Sequence, residues 1–317
     1  MRPLSVETSR QSFFSLVATT TTLAGNSGNN LLNASGLAST LVQGFQGNDT
    51  INLALATDEA QAGQGNDTIY LTKSGTQTNI VNAGDGADTI RFEGATVNSQ
   101  TITSGDGADL IVIGSAASTS LVSSLQIAAN QGNDTVSFGS GARTISQSYI
   151  GLGQGNDSIA FATAGTTFVA SDLFAGKNKD TIVLNGVGGA SSTVNGGEGS
   201  DLLNLAGSTL TSAKIGAGKG TDSITFGTAG NTLTGSVAGG GLADTISFTT
   251  IAGVKIYGDA NGVTTAGSGT DGAADGDDLI GSTTSTIGTS SIYGAGGADT
   301  IKVLAGAGLL SGGDGND

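Results

Sequence analysis

The sequence predicts an all-β fold: a parallel β-solenoid of about fourteen stacked coils, each of roughly 21 residues. Three observations predict it. A glycine-rich turn closed by aspartate recurs along the chain, as in GFQGNDTINL, AGQGNDTIYL, AGDGADTIRF and SGDGADLIVI. Each turn launches a short segment of alternating apolar residues, and no stretch carries a sustained helical period.

The closing aspartates are Asp49, Asp67, Asp88, Asp109, Asp134, Asp157, Asp180, Asp201, Asp222, Asp244, Asp278, Asp299 and Asp317, at steps of 18, 21, 21, 25, 23, 23, 21, 21, 22, 34, 21 and 18 residues. Self-similarity at this period marks a unit that buries its apolar face only by stacking on copies of itself. The second residue after each aspartate is Ile, Val or Leu from Ile51 to Ile301, and the fourth is apolar from Leu53 to Val303 except at Ser282. The residues between are mostly polar (Thr50, Asn52, Thr89, Arg91), which is a strand with one buried face.

A second apolar row lies seven residues before the aspartate, at Val42, Val81, Ile102, Ile127, Ile150, Leu173, Val194, Ile215, Val237, Ile292 and Leu310, with Ala60 and Asp271 departing from it. Each coil therefore carries a strand on either side of its glycine turn. At about 4.8 Å per coil, thirteen rungs make a rod about 60 Å long.

GNSGNNLL reads as a degenerate first coil, with Asn30 in place of aspartate. The 34-residue step places an insert over residues 259–271, rich in Gly, Thr and Asp and expected to loop out. Residues 1–24, with the apolar patch at 13–18, form a capping or assembly segment, and 25–317 form one solenoid. The chain stops at Asp317, before the strand that every other turn launches, so it is expected to continue beyond that residue.

Composition narrows function. Net charge is −15, and the only glutamates are Glu7, Glu59, Glu93 and Glu198, so nearly all the acidity sits on the shorter carboxylate, which points to a geometric role. The few lysines and arginines are scattered, so nucleic acid is not an expected partner. Cysteine and histidine are absent, which removes disulfides, thiolate chemistry, Ser-His-Asp triads and His-ligated zinc. No apolar run approaches the roughly eighteen residues of a membrane span. The chain is not expected to be an enzyme. The densest acidic group, Asp275, Asp277 and Asp278, reads as ion or water ligation beside the insert rather than as a carboxylate pair acting on polysaccharide. The third turn position holds Gln46, Gln64, Asp85, Asp106, Gln131, Gln154, Lys177, Glu198 and Lys219 where an ice-binding face would need regular Thr.

Calcium takes six to eight hard oxygens and accepts a mixture of carboxylates and backbone carbonyls. The thirteen aspartates would supply the charge, and Gly47, Gly65, Gly86, Gly107, Gly132, Gly155, Gly199, Gly220 and Gly297 the carbonyls, because glycine takes positive φ freely. Unit charges about 4.8 Å apart repel by about 1 kcal/mol at the dielectric of water and about 3.5 kcal/mol at an effective dielectric of 20, so a bare column opposes folding. Asn178 and Leu242 interrupt the glycine row; Lys177, Lys179 and Lys219 are either counter-charges to the aspartates or ordinary solvent-exposed lysines.

GGEGSDLLN at Gly196 to Asn204 and the terminal GGDGND resemble the GGxGxDxUx repeat (U apolar) of the RTX, or haemolysin-type calcium-binding, proteins. The resemblance covers roughly residues 25–317 and extends in general character to surface-layer and oscillin-like surface fibril proteins. It implies a right-handed parallel β-roll or β-helix, calcium between successive turns, type I secretion, and folding outside the cell. Here the coils are mostly longer than the family's eighteen residues and carry the motif on one edge, so one calcium ladder and a cross-section wide enough for three sheets are expected. The function implied is a secreted, calcium-stabilised structural protein. It would assemble with itself, head-to-tail or laterally, into a surface layer, sheath or fibril. The alternative is an RTX adhesin or a repeat module of a larger exported protein, with cell-surface polysaccharide as a further partner.

Overall fold

In the computed structural model the described residues are 21–35, 39–55, 57–72, 78–93, 96–114, 120–139, 141, 143–161, 165–227, 231–259 and 276–317. They form a parallel β-solenoid of about twelve turns with no helix, fewer than the expected fourteen. The sequence pattern counts corners, whereas a turn of the rod needs strands: Asn30 launches the first post-turn strand, Leu31–Asn33, and Thr300–Lys302 is the last, so thirteen strands stack on that face. No helix among the described residues is long and apolar enough to cross a membrane.

Every coil contributes a strand before the glycine turn, such as Tyr149–Gln154, and one after it, such as Ser158–Phe161. Both pair in parallel with their equivalents one coil away: Ile127 lies opposite Ile150 and Ile150 opposite Leu173, while Val136 lies opposite Ile159 and Ile159 opposite Ile182. The registers follow the sequence steps because a slip of one residue would turn each apolar row to solvent.

A third strand enters each coil from Thr96–Asn98 onward and continues as Ser120–Ser123, Arg143–Ser146, Thr167–Val169 and Gly188–Ala190. The cross-section is therefore three-sided through the middle of the rod, and the coils of 21 to 25 residues have the length for it. In the long strands Thr209–Lys219 and Thr232–Gly241 this face runs directly into the pre-turn face, which joins the two into one sheet. Thr250–Ile251, Thr286–Ile287 and Ala305–Gly306 form a separate small sheet.

The core is a continuous ladder of Ile, Leu, Val and Phe. Phe138 and Phe161 stack with centroids 4.6 Å apart, and Phe168 from the third face meets Phe161 edge-on at 5.7 Å. Such contacts add about 0.5–1.5 kcal/mol beyond buried area. In the coil with the insert, Ile256 pairs with Val237 and Ile292 and fills the buried apolar row. The chain reaches the glycine turn before the insert begins, so counting back seven from Asp278 lands on Asp271, outside the described residues. Of the insert expected over 259–271 and the terminal segment expected over 1–24, residues 260–271 and 1–20 also lie outside them, while Thr21–Ala24 is a strand that pairs in parallel with Thr40–Gln46.

Candidate metal centre

Positions are counted from the aspartate of each turn. The residue at −4 takes a left-handed conformation in nearly every coil, as does that at −2: φ is 113° at Gly153 and 141° at Gly155. A side chain at Gly153 would collide with the Asn130 carbonyl of the neighbouring coil, and one at Gly155 with that of Gly132. Two such residues reverse the strand and let the backbones of stacked corners approach closely. Phe45, Asn130 and Ala295 occupy −4, and Asn178 and Leu242 occupy −2, with φ between 71° and 91°.

The corner places the aspartates inside the rod. Asp49 through Asp299 of the series are buried, none more than 4% exposed, whereas Asp317 is exposed. Each carboxylate continues the backbone ladder where the chain bends. The N–H of Asp49 donates to Asp67 Oδ1 at 2.7 Å, that of Asp67 to Asp88 at 2.7 Å, and the relation repeats coil by coil to Asp278 and Asp299 at 2.9 Å. Asparagines at −1 make the reciprocal ladder on the outside: Asn66 N–H donates to Asn48 Oδ1 at 2.9 Å, and Asn156 N–H to Asn133 Oδ1 at 2.8 Å.

The second carboxyl oxygen has no such use. Oδ2 of Asp49, Asp67, Asp88, Asp134, Asp157, Asp180, Asp201, Asp222, Asp244 and Asp278 is buried without a hydrogen-bond partner. A buried polar atom left in this state costs about 1–3 kcal/mol, and more when charged. Desolvation accordingly pushes the carboxyls up against the lowering effect of the backbone N–H, to about 7 at Asp88, Asp134 and Asp222 and about 8 at Asp180. Asp244 reaches about 9, with repulsion from Asp222, Asp278 and Asp259 added to burial. Burial raises Asp109 as well, but there the Ser104 hydroxyl works in the opposite direction, and it also donates to the Ala129 carbonyl at 3.1 Å.

The residue at −5 determines what can neutralise Oδ2. Where it is glycine, Oδ2 and the −5 carbonyl of the next coil converge on the place that a β-carbon would take. A β-carbon added to Gly44 would come within 3.0 Å of both Asp49 Oδ2 and the Ala62 carbonyl. Gly196, Gly239, Gly258 and Gly294 show the same pairing with Asp201, Asp244, Asp278 and Asp299. These corners fit a hard cation: Oδ2 and the next −5 carbonyl would hold it. Elsewhere −5 carries the buried side chains of Ala62, Ala83, Ala129, Leu152, Ala175 and Ala217. An alkyl group takes that place there, and a proton on Oδ2 is the smaller remedy.

The expected carbonyl donors are placed differently. Gly47 O lies against the Cα of Gly65 one coil on, and Gly65, Gly86, Gly107, Gly132 and Gly199 repeat this against Gly86, Gly107, Gly132, Gly155 and Gly220, so the −2 carbonyls run along the stack while the −5 carbonyls face the carboxyls. Lys219 pairs with Glu198 at 3.0 Å on the surface and leaves the buried column alone. Asp277 is also external, accepting from Ala298 N–H at 2.8 Å, and Asp275 lies outside the described residues.

A second polar column, at −9, goes beyond what the sequence pattern led us to expect. Asp58, Asn79, Gln100, Ser148, Ser171 and Ser192 are buried at the corner between the third face and the pre-turn strand. Ser148 N–H donates to Ser171 Oγ at 3.1 Å, and Thr40 N–H to Asp58 Oδ1 at 2.9 Å, so side-chain oxygens again replace ladder carbonyls. The recurrence of Ser at Ser148, Ser171 and Ser192, in step with the aspartates, is the signal that could have found it.

Compared with known proteins, the chain matches no protein-family model and no curated sequence.

Proposed function

We propose that the chain is a secreted structural protein whose rod is stabilised by calcium and assembles with itself on the cell surface as a layer, sheath or fibril. The observation that carries this reading is the column of buried Oδ2 atoms without partners, in which those of Asp49, Asp201, Asp244 and Asp278 converge with a backbone carbonyl beside a glycine. Bound calcium supplies positive charge to carboxyls that otherwise need protons. The chain's own residues hold the corner shape through the Oδ1 ladder and exclude water by burial. Folding is then coupled to the calcium concentration outside the cell. The test is circular dichroism with and without excess chelator at pH 8: loss of β signal on chelation and its return with calcium, but not magnesium, is expected. Full β signal in the chelated sample overturns it.

A polysaccharide-binding adhesin is the second reading, favoured by an open groove on the turn edge lined by Asp106, Gln131, Gln154, Lys177 and Glu198. These side chains stack at the third turn position and present amides and charges in line, a pattern that suits the hydroxyls of an extended glycan. Glycan arrays probed with the calcium-loaded rod separate it from a purely self-assembling protein.

A further inference from the structure

We propose that Asp259, Asp278 and Asp299 form a discrete site for one hard divalent cation of the size of Ca2+, at the base of the insert. The site goes beyond the ladder of corners, since it stands whether or not any other corner takes an ion.

Asp259 occupies the −4 position of its coil, where Gly63, Gly84, Gly105, Gly153, Gly176, Gly197, Gly218 and Gly240 stand elsewhere. Among the described residues it adds a third carboxylate that no other corner has. One oxygen from each of Asp259, Asp278 and Asp299 lies within 4.8 Å of the others, and all three residues are buried. Three atoms within that spacing share a centre at most about 2.8 Å from each, a bound that admits the roughly 2.3–2.6 Å of calcium–oxygen contacts.

Other observations point to a ligand. Oδ2 of Asp278 is buried without a partner, and so is Oδ2 of Asp244, which feels the Asp259 charge. Gly239, Gly258 and Gly294 put three glycines in succession at −5, each with a carboxyl oxygen and a neighbouring carbonyl crowding the place of its missing β-carbon. Among the described residues, only here do successive aspartate corners carry glycine at −5. Asp259 accepts from two amides, Gly276 N–H on Oδ1 at 3.0 Å and Gly296 N–H on Oδ2 at 3.2 Å, which aim its carboxylate at the corner. A cation would add to the hydrogen bond by which Asp259 already holds Gly276.

The site carries its own reporter. Tyr257 and Tyr293 stack at 5.2 Å on the strands leading to Asp259 and Gly294, and the only other tyrosines are Tyr70 and Tyr149. Tb3+, a calcium probe excited by energy transfer from tyrosine, is titrated into the full chain after chelator treatment and dialysis. The expected result is one tight equivalent with tyrosine-sensitised emission, abolished in the Y257F/Y293F double variant and displaced by Ca2+ but not by Mg2+. Asp259→Gly, the residue most coils carry here, and Asp259→Asn should each weaken that equivalent by at least about tenfold, with circular dichroism unchanged. Equilibrium dialysis with Ca2+ counts the remaining equivalents. Ca2+ binding that is the same in wild type and Asp259→Gly overturns this site while leaving the ladder intact. A single equivalent in wild type, lost in Asp259→Gly, keeps the site and overturns the ladder, and absence of any binding overturns both.

Discussion

The backbone N–H of Asp109 donates to Oδ1 of Asp134 at 2.8 Å, while Oδ2 of the same Asp134 carboxyl is buried with no partner. One oxygen holds the corner and the other opposes burial, so the two substitutions that separate these roles should act in opposite directions. Asp134→Asn keeps the acceptor and removes the charge: in chelator at pH 8 it should raise the melting temperature. Asp134→Ala strands the Asp109 N–H and should cost about 1–3 kcal/mol. Equal destabilisation by both in urea melts would mean that the charge is not the liability.

The raised carboxyls fix a direction for pH. Their folded pKa values, about 7 at Asp88, Asp134 and Asp222 and about 9 at Asp244, lie above the unfolded value of about 3.9. Such groups contribute their stabilisation in full below about pH 4, lose it as pH rises through the folded values, and contribute none above them. In chelator the rod should therefore weaken steadily from pH 5 to pH 9, the reverse of a protein whose carboxylates are salt-bridged. Calcium should flatten the upper part of that curve. Melting temperatures measured every half unit, with chelator and with calcium, check both statements.

The −5 position should interconvert the two kinds of corner. Gly196 and Gly294 have no left-handed φ, so alanine fits their backbone, and the cost of Gly294→Ala comes from its collision with Asp299 and the Gly312 carbonyl. One calcium equivalent should be lost, with about 1–3 kcal/mol of calcium-dependent stability. Conversely, Ala129→Gly should open a gap beside Asp134 and add an equivalent, at a cost of about 0.5–1 kcal/mol in chelator. Calorimetric stoichiometry decides, and unchanged counts in both variants would show that −5 does not gate the ion.

Much of this is legible in the sequence because the period is carried by side chains that all face one way. Ile51 to Ile280 and Val42 to Ile292 fall in the core as the alternation requires, and the aspartates stack one above another. The third face leaves a weaker trace, since Thr96–Asn98, Ser120–Ser123 and Gly188–Ala190 are short and carry no alternation long enough to count. The inward aim of the carboxyls is hidden for a different reason. A GxGxD turn reads the same whether its aspartate faces solvent or is buried against the next coil's amide. Asp259 escapes notice as a ligand because nearly a full coil's length of sequence separates it from Asp278, while the fold places the two side by side.

The packing of the aromatic column is independent of any ion. Phe161 is buried between Phe138, stacked 4.6 Å away, and Phe168, edge-on at 5.7 Å. The following coil carries the buried Leu184 at the same position, so the aromatic run ends at Phe161. Phe161→Leu keeps an apolar side chain and should cost about 1–2 kcal/mol, whereas Phe161→Ala leaves a cavity walled by two rings and should cost about 3–5 kcal/mol. In a solenoid each coil contacts only its neighbours, so that loss falls on the interfaces with the coils of Phe138 and Leu184. Urea melts in calcium and in chelator should show the same loss for Phe161→Ala. A loss seen only in calcium would mean that the column and the ion sites are coupled.

Leu242 supplies the last test, because it breaks the corner's own rule. It stands at −2, where glycine is the rule, with φ at 71° and its side chain 45% exposed. A left-handed conformation costs a residue with a β-carbon about 1–2 kcal/mol, and the exposed leucine recovers little of that by burial. Leu242→Gly should relieve the strain, offset by the greater freedom glycine has in the unfolded chain, for a net gain of about 0.5–1 kcal/mol. Asn178, at the same position with φ at 78°, tolerates this region better, so Asn178→Gly should change stability by less. The comparison is made by thermal melts of the two variants beside wild type. If Leu242→Gly is the less stable protein, the leucine has a packing role against the neighbouring corner that outweighs its strain.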